Sequence, residues 1–163
     1  MATAVRTARA GRIGRPGRSF RGEFDDLLAG AYALARELVG APVLAEEIAV
    51  DALARLRVDW AHAVRAEATY ATLTRNVVRR AIDAMATREP LPTIVGVIEP
   101  PAGRIDHDIA VALRRLPRRR REIVALVELA DCEPSDAARI VKQPLPVIER
   151  ELRAGRAALA AGR

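Results

Sequence analysis

A proline-rich stretch in the middle of the chain constrains the fold more than any other feature. TREPLPTIVGVIEPPAGR, residues 87–104, holds four prolines and two glycines. Proline lacks a backbone N–H and glycine weakens helices, so no long helix runs through this stretch. Within it, TIVGVI is either a short strand or a segment packed on a neighbouring unit. The sequence predicts two units, residues 23–86 and 105–163, joined by a linker over 87–104 with few contacts across it.

The first unit has the apolar periodicity of three helices, enough to enclose one core. The first helix starts at Glu23, where the pattern changes, and Gly40 ends it. The second starts at Pro42, and the third runs from about Val64 to Ala86. The residues predicted to face inward are Phe24, Leu27, Leu28, Ala31, Leu34, Ala35, Leu38, Leu44, Ile48, Ala52, Leu56, Leu73, Val77, Ala81 and Met85.

Four shorter helices are predicted in the second unit. Asp106 is the expected N-cap of the first, and Pro117 suits the first turn of the next. A short helix should cover Ser135 to Val141. The last should begin near Pro146, with Ile148, Leu152 and Leu159 facing inward and Glu149 and Glu151 pointing away from them. The predicted fold class is therefore all-α, with a three-helix bundle followed by a small helix-turn-helix domain.

Composition argues for an intracellular helical protein. Half of the residues are apolar but only 3% are aromatic, so the core is built mainly from Leu, Ile, Val and Ala. Cys132 is the only cysteine, which leaves no internal disulfide. No apolar run approaches the roughly 18 residues that a membrane helix needs, and the N-terminus lacks the apolar stretch of a signal peptide. We expect a cytoplasmic protein without a membrane segment.

The net charge of +6 is concentrated at the N-terminus. Six arginines precede the first acidic residue, Glu23, so the remaining body is formally neutral. Residues 1–22 are predicted to form a disordered basic tail. Such a tail either contacts phosphates nonspecifically or is a solubilising leader without a partner. The six arginines are Arg6, Arg9, Arg12, Arg15, Arg18 and Arg21.

The sequence contains no pattern that predicts catalysis. His62, His107 and Cys132 do not have the spacing of metal ligands. There is no glycine-rich phosphate loop and no nucleophile elbow. Glu46 and Glu47 lie on an amphipathic helix, where a solvated face is the more common role than an acid–base pair. We therefore predict a protein that is not an enzyme and has neither a metal site nor a cofactor.

The C-terminal part has the organisation of a DNA-binding unit. A short helix, a tight turn and a second amphipathic helix form a helix-turn-helix, whose second helix enters the major groove in DNA-binding proteins. Residues 118–121, four consecutive arginines, are suited to phosphate contacts. A surface helical hairpin in an ordinary bundle would have the same pattern, so the pattern favours DNA binding only slightly.

Two stretches resemble the extracytoplasmic-function (ECF) sigma factors of bacterial RNA polymerase. LPRRRREIVALVELADCEPSDAARIVKQPLPVIERELRAGRAAL, residues 116–159, aligns without a gap with region 4 of that family. FDDLLAGAYALARELVGAPVLAEEIAVDALARL, residues 24–56, resembles region 2, where the family has AEDLVQEAF in place of AEEIAVDAL. TLTRNVV is similar to the family's RIARNLA. The resemblance covers about residues 23–86 and 105–160, in the family's order.

The resemblance implies two kinds of site. Glu46, Glu47, Asp51 and Arg55 fall on the helix that docks on the polymerase clamp coiled coil. The remaining implied site residues contact promoter DNA. Near the minus-ten element the family's pattern places Arg75, Asn76, Arg79 and Arg80, and near the minus-thirty-five element it places Arg121, Arg150, Arg153 and Arg156.

The chain also departs from the family. Val50-Asp51 replaces a Gln-Glu pair, and Thr69 stands where a tryptophan is common. Lys142 aligns with the glycine of the turn, which requires either a positive φ or another turn geometry. Glu149 and Glu151 occupy positions where Lys and Arg are usual. Because carboxylates repel phosphates, we interpret the last two helices as a helix-turn-helix by descent with weakened or altered promoter reading, although Glu149 can still read a cytosine amino group.

The leading hypothesis is a sigma factor that binds core RNA polymerase and directs promoter recognition and transcription initiation. Its partners would be core polymerase, promoter DNA and, as a further candidate, an anti-sigma factor. One alternative is a sigma-like interaction protein that binds polymerase or an anti-sigma factor without selecting promoters. Another is an unrelated helix-turn-helix regulator, which would bind an operator without polymerase.

Overall fold

The structure, a computed structural model, describes residues 19–65, 68–87 and 103–161, and in these ranges it is all-α, as predicted. Most of the predicted basic tail and most of the predicted linker, including TIVGVI, lie outside the described residues. The helices within them are α1 (Phe20–Val39), α2 (Pro42–Val58), α3 (Trp60–Arg65), α4 (Thr69–Thr87), α5 (His107–Arg115), α6 (Arg118–Glu128), α7 (Pro134–Val141) and α8 (Leu145–Ala161).

Helix α1 begins three residues before the predicted start at Glu23. Ser19 is its N-cap, and the Ser19 side chain accepts a hydrogen bond from the Gly22 N–H at 3.1 Å. Such a cap satisfies one of the N–H groups that a helix start leaves without a partner. The Phe20 ring packs edge-on against Trp60 of α3, with centroids 5.3 Å apart. The end of the predicted tail is therefore part of the helical body.

The third helix predicted for the first unit is divided into two in the structure. The six-residue α3 precedes α4, which starts at Thr69 rather than continuing from Val64. Apolar periodicity continues across both helices, so it did not reveal the division. The inward-facing prediction holds for Leu73, Val77 and Ala81, which are buried, and is wrong for Phe24, which is 38% exposed. The predicted caps also hold, since Asp106 accepts from the Ile109 N–H at 2.7 Å and Gly40 ends α1 with φ 72°.

The two predicted units share one continuous hydrophobic core. Helices α1, α2 and α4 pack against one another, and α4 then packs along α5 and also contacts α6 and α7. Helix α8 closes the other side against α6 and α7. The expectation of few contacts between the units is therefore wrong for this arrangement. Fully buried members from the two sides are Leu27, Leu38, Ile48, Leu56, Leu73, Ile105, Leu113, Ile123, Leu126 and Ile148.

Residues 103–105 connect the second half of the chain to the end of α1. The Arg104 N–H donates to the Glu37 carbonyl at 3.0 Å, and the Ile105 N–H donates to the Leu38 carbonyl at 2.8 Å. The last carbonyls of a helix have no partner within the helix. Ile105 is buried, with 1% of its surface exposed. The segment therefore completes α1 and contributes to the core at the same time.

The Arg104 side chain extends this connection to a third part of the fold. Its guanidinium lies 2.6 Å from a Glu37 carboxylate oxygen and 2.6 Å from Asp131 Oδ2. It also donates to the Leu129 carbonyl at 3.0 Å. Asp131 has a positive φ of 50° in the turn between α6 and α7. Arg104 thus links α1 to the α6–α7 turn, and this turn sets the position of α7.

None of the helices within the described ranges is both long enough and apolar enough to span a bilayer.

We predict that Gly103→Ala destabilises the protein by roughly 1–3 kcal/mol, as overpacking at a tight contact does. A Cβ at Gly103 would lie 2.3 Å from the Leu38 carbonyl oxygen, and backbone on that side cannot move independently of α1. The free energy of unfolding, measured by urea titration, checks this.

Gly30→Ala is the matched control, because its added Cβ meets only the Tyr70 ring at 3.8 Å. In the middle of α1, alanine should raise stability by about 0.5–1 kcal/mol. Equal stabilisation by both substitutions would mean that residues 103–105 do not dock on α1.

Candidate functional site

Helices α7 and α8 are joined by a short turn of the kind that helix-turn-helix units use. Lys142 has φ 54° and ψ 51°, the left-handed conformation for which the resembled family has glycine. The Gln143 N–H donates to the Ala138 carbonyl at 3.0 Å, which closes the end of α7. Of the two geometries considered from the sequence, the chain thus adopts the positive φ with a non-glycine residue, a conformation that is disfavoured but accessible.

Helix α8 lies on α6 through a narrow apolar seam. Ile148 and Leu152 are buried, and Leu159 is partly buried, as predicted. Gly155 allows close approach, since a Cβ there would lie 2.4 Å from Val124 Cγ2. The helix begins at Leu145, one residue before Pro146, which fits the helix start that proline favours. This seam fixes which face of α8 is turned outward.

The two carboxylates of α8 have different environments. Glu149 is exposed, as expected for a residue facing away from the core. Glu151 is not: its side chain is 19% exposed, and its carboxylate lies 3.0 Å from Arg120 Nε on α6. The expectation that both side chains point away from the fold is therefore wrong for Glu151. Arg120 of the neighbouring α6 makes Glu151 part of the α6–α8 contact. The periodicity within α8 cannot reveal such a partner on another helix.

The arginines of α8 lie on its outward side. Arg150 and Arg156 have 69% and 57% of their side chains exposed, and Arg153 is exposed as well. Arg156 is paired with Glu128 of α6 at 2.6 Å, whereas the contact of Arg150 with Glu151 is longer, at 3.7 Å. Arg153 makes no ion pair with any of the residues that the structure describes. It is therefore the most available cation of this helix.

The polar residues of α4 have partners inside the fold. Arg75 forms an ion pair with Glu122 of α6, whose side chain is only 10% exposed. Arg80 lies 3.3 Å from Asp51 of α2, and the Asn76 side chain donates to the Ala52 carbonyl at 3.4 Å. Arg79 is exposed. Three of the four α4 residues expected to meet DNA thus also connect α4 to its neighbours.

Helix α2 presents a mixed outward face. Glu46 and Glu47 are exposed, and Asp51 accepts from Arg55 at 3.0 Å besides pairing with Arg80. The four residues implied for polymerase binding therefore lie on one side of the helix. Sequence reasoning missed the exposed valines on the same helix: Val43, Val50 and Val58 are 71%, 54% and 86% exposed. The sequence did contain a signal for these valines: apolar residues lie on both faces of α2, and only one face can pack against the core.

A cleft between α4 and α6 brings together residues that the resemblance assigns to different promoter elements. Its cavity has a volume of about 230 Å³, and its lining includes Arg75 and Arg79 from α4 and Arg121 from α6. Arg150, Arg153 and Arg156 lie on α8, which contacts the far side of α6. Six of the eight implied DNA-binding residues thus form two groups, three in the cleft and three on the outer face of α8, whereas Asn76 and Arg80 contact α2.

The histidines have ordinary environments. His62 is exposed, and His107 Nδ1 lies 3.2 Å from the Met85 carbonyl, a contact between α5 and α4. In the part of the chain that the structure describes, no group of three or more His, Cys, Asp and Glu side chains is arranged to hold a metal ion.

The chain matches no protein-family model, and no curated protein is significantly similar to it.

We predict that Glu151→Gln lowers the free energy of unfolding by about 1 kcal/mol, since it removes the charge-assisted bond to Arg120 at a half-buried contact. Glu149→Gln, the neighbouring control, should change stability by less than about 0.5 kcal/mol because Glu149 is exposed. Urea unfolding of both variants distinguishes them. If both substitutions lower the free energy of unfolding by the same amount, Glu151 is not part of the α6–α8 contact.

Proposed function

We propose that the protein is a transcription initiation factor of the sigma type, a cytoplasmic binding module rather than an enzyme. It would bind core RNA polymerase through α2 and promoter DNA through α4 and α8. The observation that carries the proposal is the outward face of α8, where three arginines stand on a helix held by a short turn and a buried apolar seam. The resemblance of both halves to one family, in the family's order, supports it.

Helix α8 is suited to a phosphate-rich partner by position and by charge. Arg153, which makes no ion pair with the described residues and donates only to the Glu149 carbonyl, and the well exposed Arg150 can approach a groove without disrupting the core. Arg156 would have to exchange Glu128 for a phosphate. Arginine forms paired, directional hydrogen bonds with phosphate oxygens or guanine edges. Glu149 opposes this attraction, and Glu151 opposes it less because Arg120 neutralises it.

Helix α2 is suited to a protein partner. Three exposed valines beside the exposed Glu46 and Glu47 combine an apolar contact area with negative charge. A basic, partly apolar helical surface would complement both features. The polymerase clamp coiled coil is the partner that the resemblance implies for this helix.

The proposal requires the two halves to separate in the complex. Minus-ten and minus-thirty-five elements lie about 25 base pairs apart, or roughly 85 Å along B-DNA. Arg75 and Arg121, which the resemblance assigns to different elements, line one cavity of about 230 Å³. In this arrangement, Arg75 and Arg121 cannot contact the minus-ten and the minus-thirty-five element at the same time. We infer that the described arrangement is a closed form and that polymerase and DNA select an open one.

A sigma-like interaction protein is the second candidate. The exposed valines of α2 favour it, because they fit a protein partner whether or not α8 reads DNA. That partner would be polymerase or an anti-sigma factor. Promoter-dependent transcription by purified core enzyme on a genomic DNA library separates the candidates. Transcripts starting at defined sites support the sigma factor; polymerase binding without them supports the interaction protein, and operator binding without polymerase supports an unrelated regulator.

For DNA binding, we predict that Glu149→Lys raises affinity and steepens the salt dependence. One added phosphate contact changes the slope of log affinity against log salt by about one unit. Fluorescence anisotropy with a labelled duplex, at several salt concentrations, measures both quantities. Asp25→Lys, an exposed charge reversal on α1, is the control. The same slope change in both variants would show that α8 is not the DNA-facing helix.

For polymerase binding, we predict that Glu47→Lys combined with Val50→Asp weakens the affinity for core enzyme by at least about tenfold, equivalent to about 1.4 kcal/mol. Both side chains are exposed, so helicity should be unchanged. Competition binding against labelled parent protein measures the effect, again with Asp25→Lys as control. Parent-like affinity of the double variant would remove α2 from the interface.

A further inference from the structure

The cleft between α4 and α6 concentrates positive charge around an apolar floor. Two guanidiniums come from α4, Arg75 and Arg79, and two from α6, Arg118 and Arg121. The cavity of about 230 Å³ is smaller than a typical drug-sized ligand site, which begins at roughly 300 Å³. The floor is formed by Val78, Ile82, Ala125 and Leu126. Such a site fits a compact charged group rather than a large molecule.

The charges of the cleft are not balanced within it. Its lining contains two carboxylates, Glu122 and Asp83, and Glu122 is already paired with Arg75. Arg79, Arg118 and Arg121 make no ion pair with any residue in the described ranges. Three guanidiniums therefore face one exposed carboxylate across a small volume. Like charges this close repel one another, and the low-dielectric floor strengthens the repulsion.

The start of α6 adds to the same positive potential. Its N-cap is Pro117, which makes no side-chain cap hydrogen bond, and the first turn contains no acidic residue. The Arg121 N–H bonds back to the Pro117 carbonyl at 2.9 Å. The three N–H groups before it have no acceptor among the described residues. Helix starts favour anions, yet this one carries consecutive arginines, an arrangement that opposes the helix dipole unless an anion is present.

We propose that this cleft binds one small multivalent phosphate anion, such as diphosphate or the phosphate chain of a nucleotide. Guanidiniums from α4 and α6 would bind its oxygens in the paired geometry that arginine provides. Because the anion contacts both helices, it cross-links the two halves and stabilises the closed arrangement. The site itself does not depend on the proposed function. Inhibition of promoter binding by the bound anion does rest on the proposed function, because Arg75, Arg79 and Arg121 would be needed for both the anion and DNA.

Isothermal titration calorimetry of the full chain with diphosphate, at constant ionic strength, tests the site. We expect one saturable site per chain. Arg79→Gln and Arg118→Gln should each weaken binding by about tenfold, the effect of losing about 1.4 kcal/mol of contact energy. Arg57→Gln and Arg114→Gln remove arginines that are also exposed but lie outside the cleft, and both variants should bind as the parent does. Circular dichroism confirms that each variant is folded.

A short single-stranded oligonucleotide serves as the second probe and separates a small-anion site from a nucleic-acid contact. Saturable diphosphate binding lost only in the cleft variants supports the proposal. Oligonucleotide binding with the same variant sensitivity, but no diphosphate binding, overturns it. Equal weakening of diphosphate binding in all four variants also overturns it, since it would show nonspecific attraction. None of these results depends on whether the protein supports transcription.

Discussion

The last turn of α1 is the point where the two halves of the chain are joined. Its four terminal carbonyls all receive backbone hydrogen bonds: those of Arg36 and Val39 from Gly40 and Ala41, and those of Glu37 and Leu38 from Arg104 and Ile105. A helix end cannot satisfy these groups alone. Separating the halves would therefore expose two carbonyls and the apolar Ile105, and it would break the Arg104–Glu37 ion pair. Helix α4 packs against α5 and α6 in the same core, and the charged cleft lies between α4 and α6.

Much of the helical layout follows from local signals in the sequence. Asp106, Gly40 and Pro42 mark helix ends by capping and backbone chemistry, which act within a few residues. Apolar spacing identified the buried sides of α1, α4 and α8, because burial of one face repeats with the helical period. The resemblance, not the spacing, singled out Arg150, Arg153 and Arg156, which the structure places on the outward side of α8.

The features that were missed depend on contacts between distant parts of the chain. Nothing within α8 indicates that Glu151 meets Arg120, and nothing within α4 indicates that Arg75 meets Glu122. The prolines before Gly103 suggested a linker, but the Leu38 carbonyl that Gly103 approaches lies more than sixty residues earlier. A proline-rich stretch can separate two units or return the chain to the first one. Local chemistry is the same in both cases, so only the packed core distinguishes them.

The distance between the two halves tests the closed arrangement most directly. Spin labels at positions 57 on α2 and 157 on α8, both exposed, in a Cys132→Ala background allow that distance to be measured by pulsed electron resonance. We expect one narrow distribution in the isolated chain and a longer distance once core polymerase and promoter DNA are bound. A broad or already long distribution in the isolated chain would contradict the closed arrangement. An unchanged distance in a transcriptionally active complex would contradict the inferred opening.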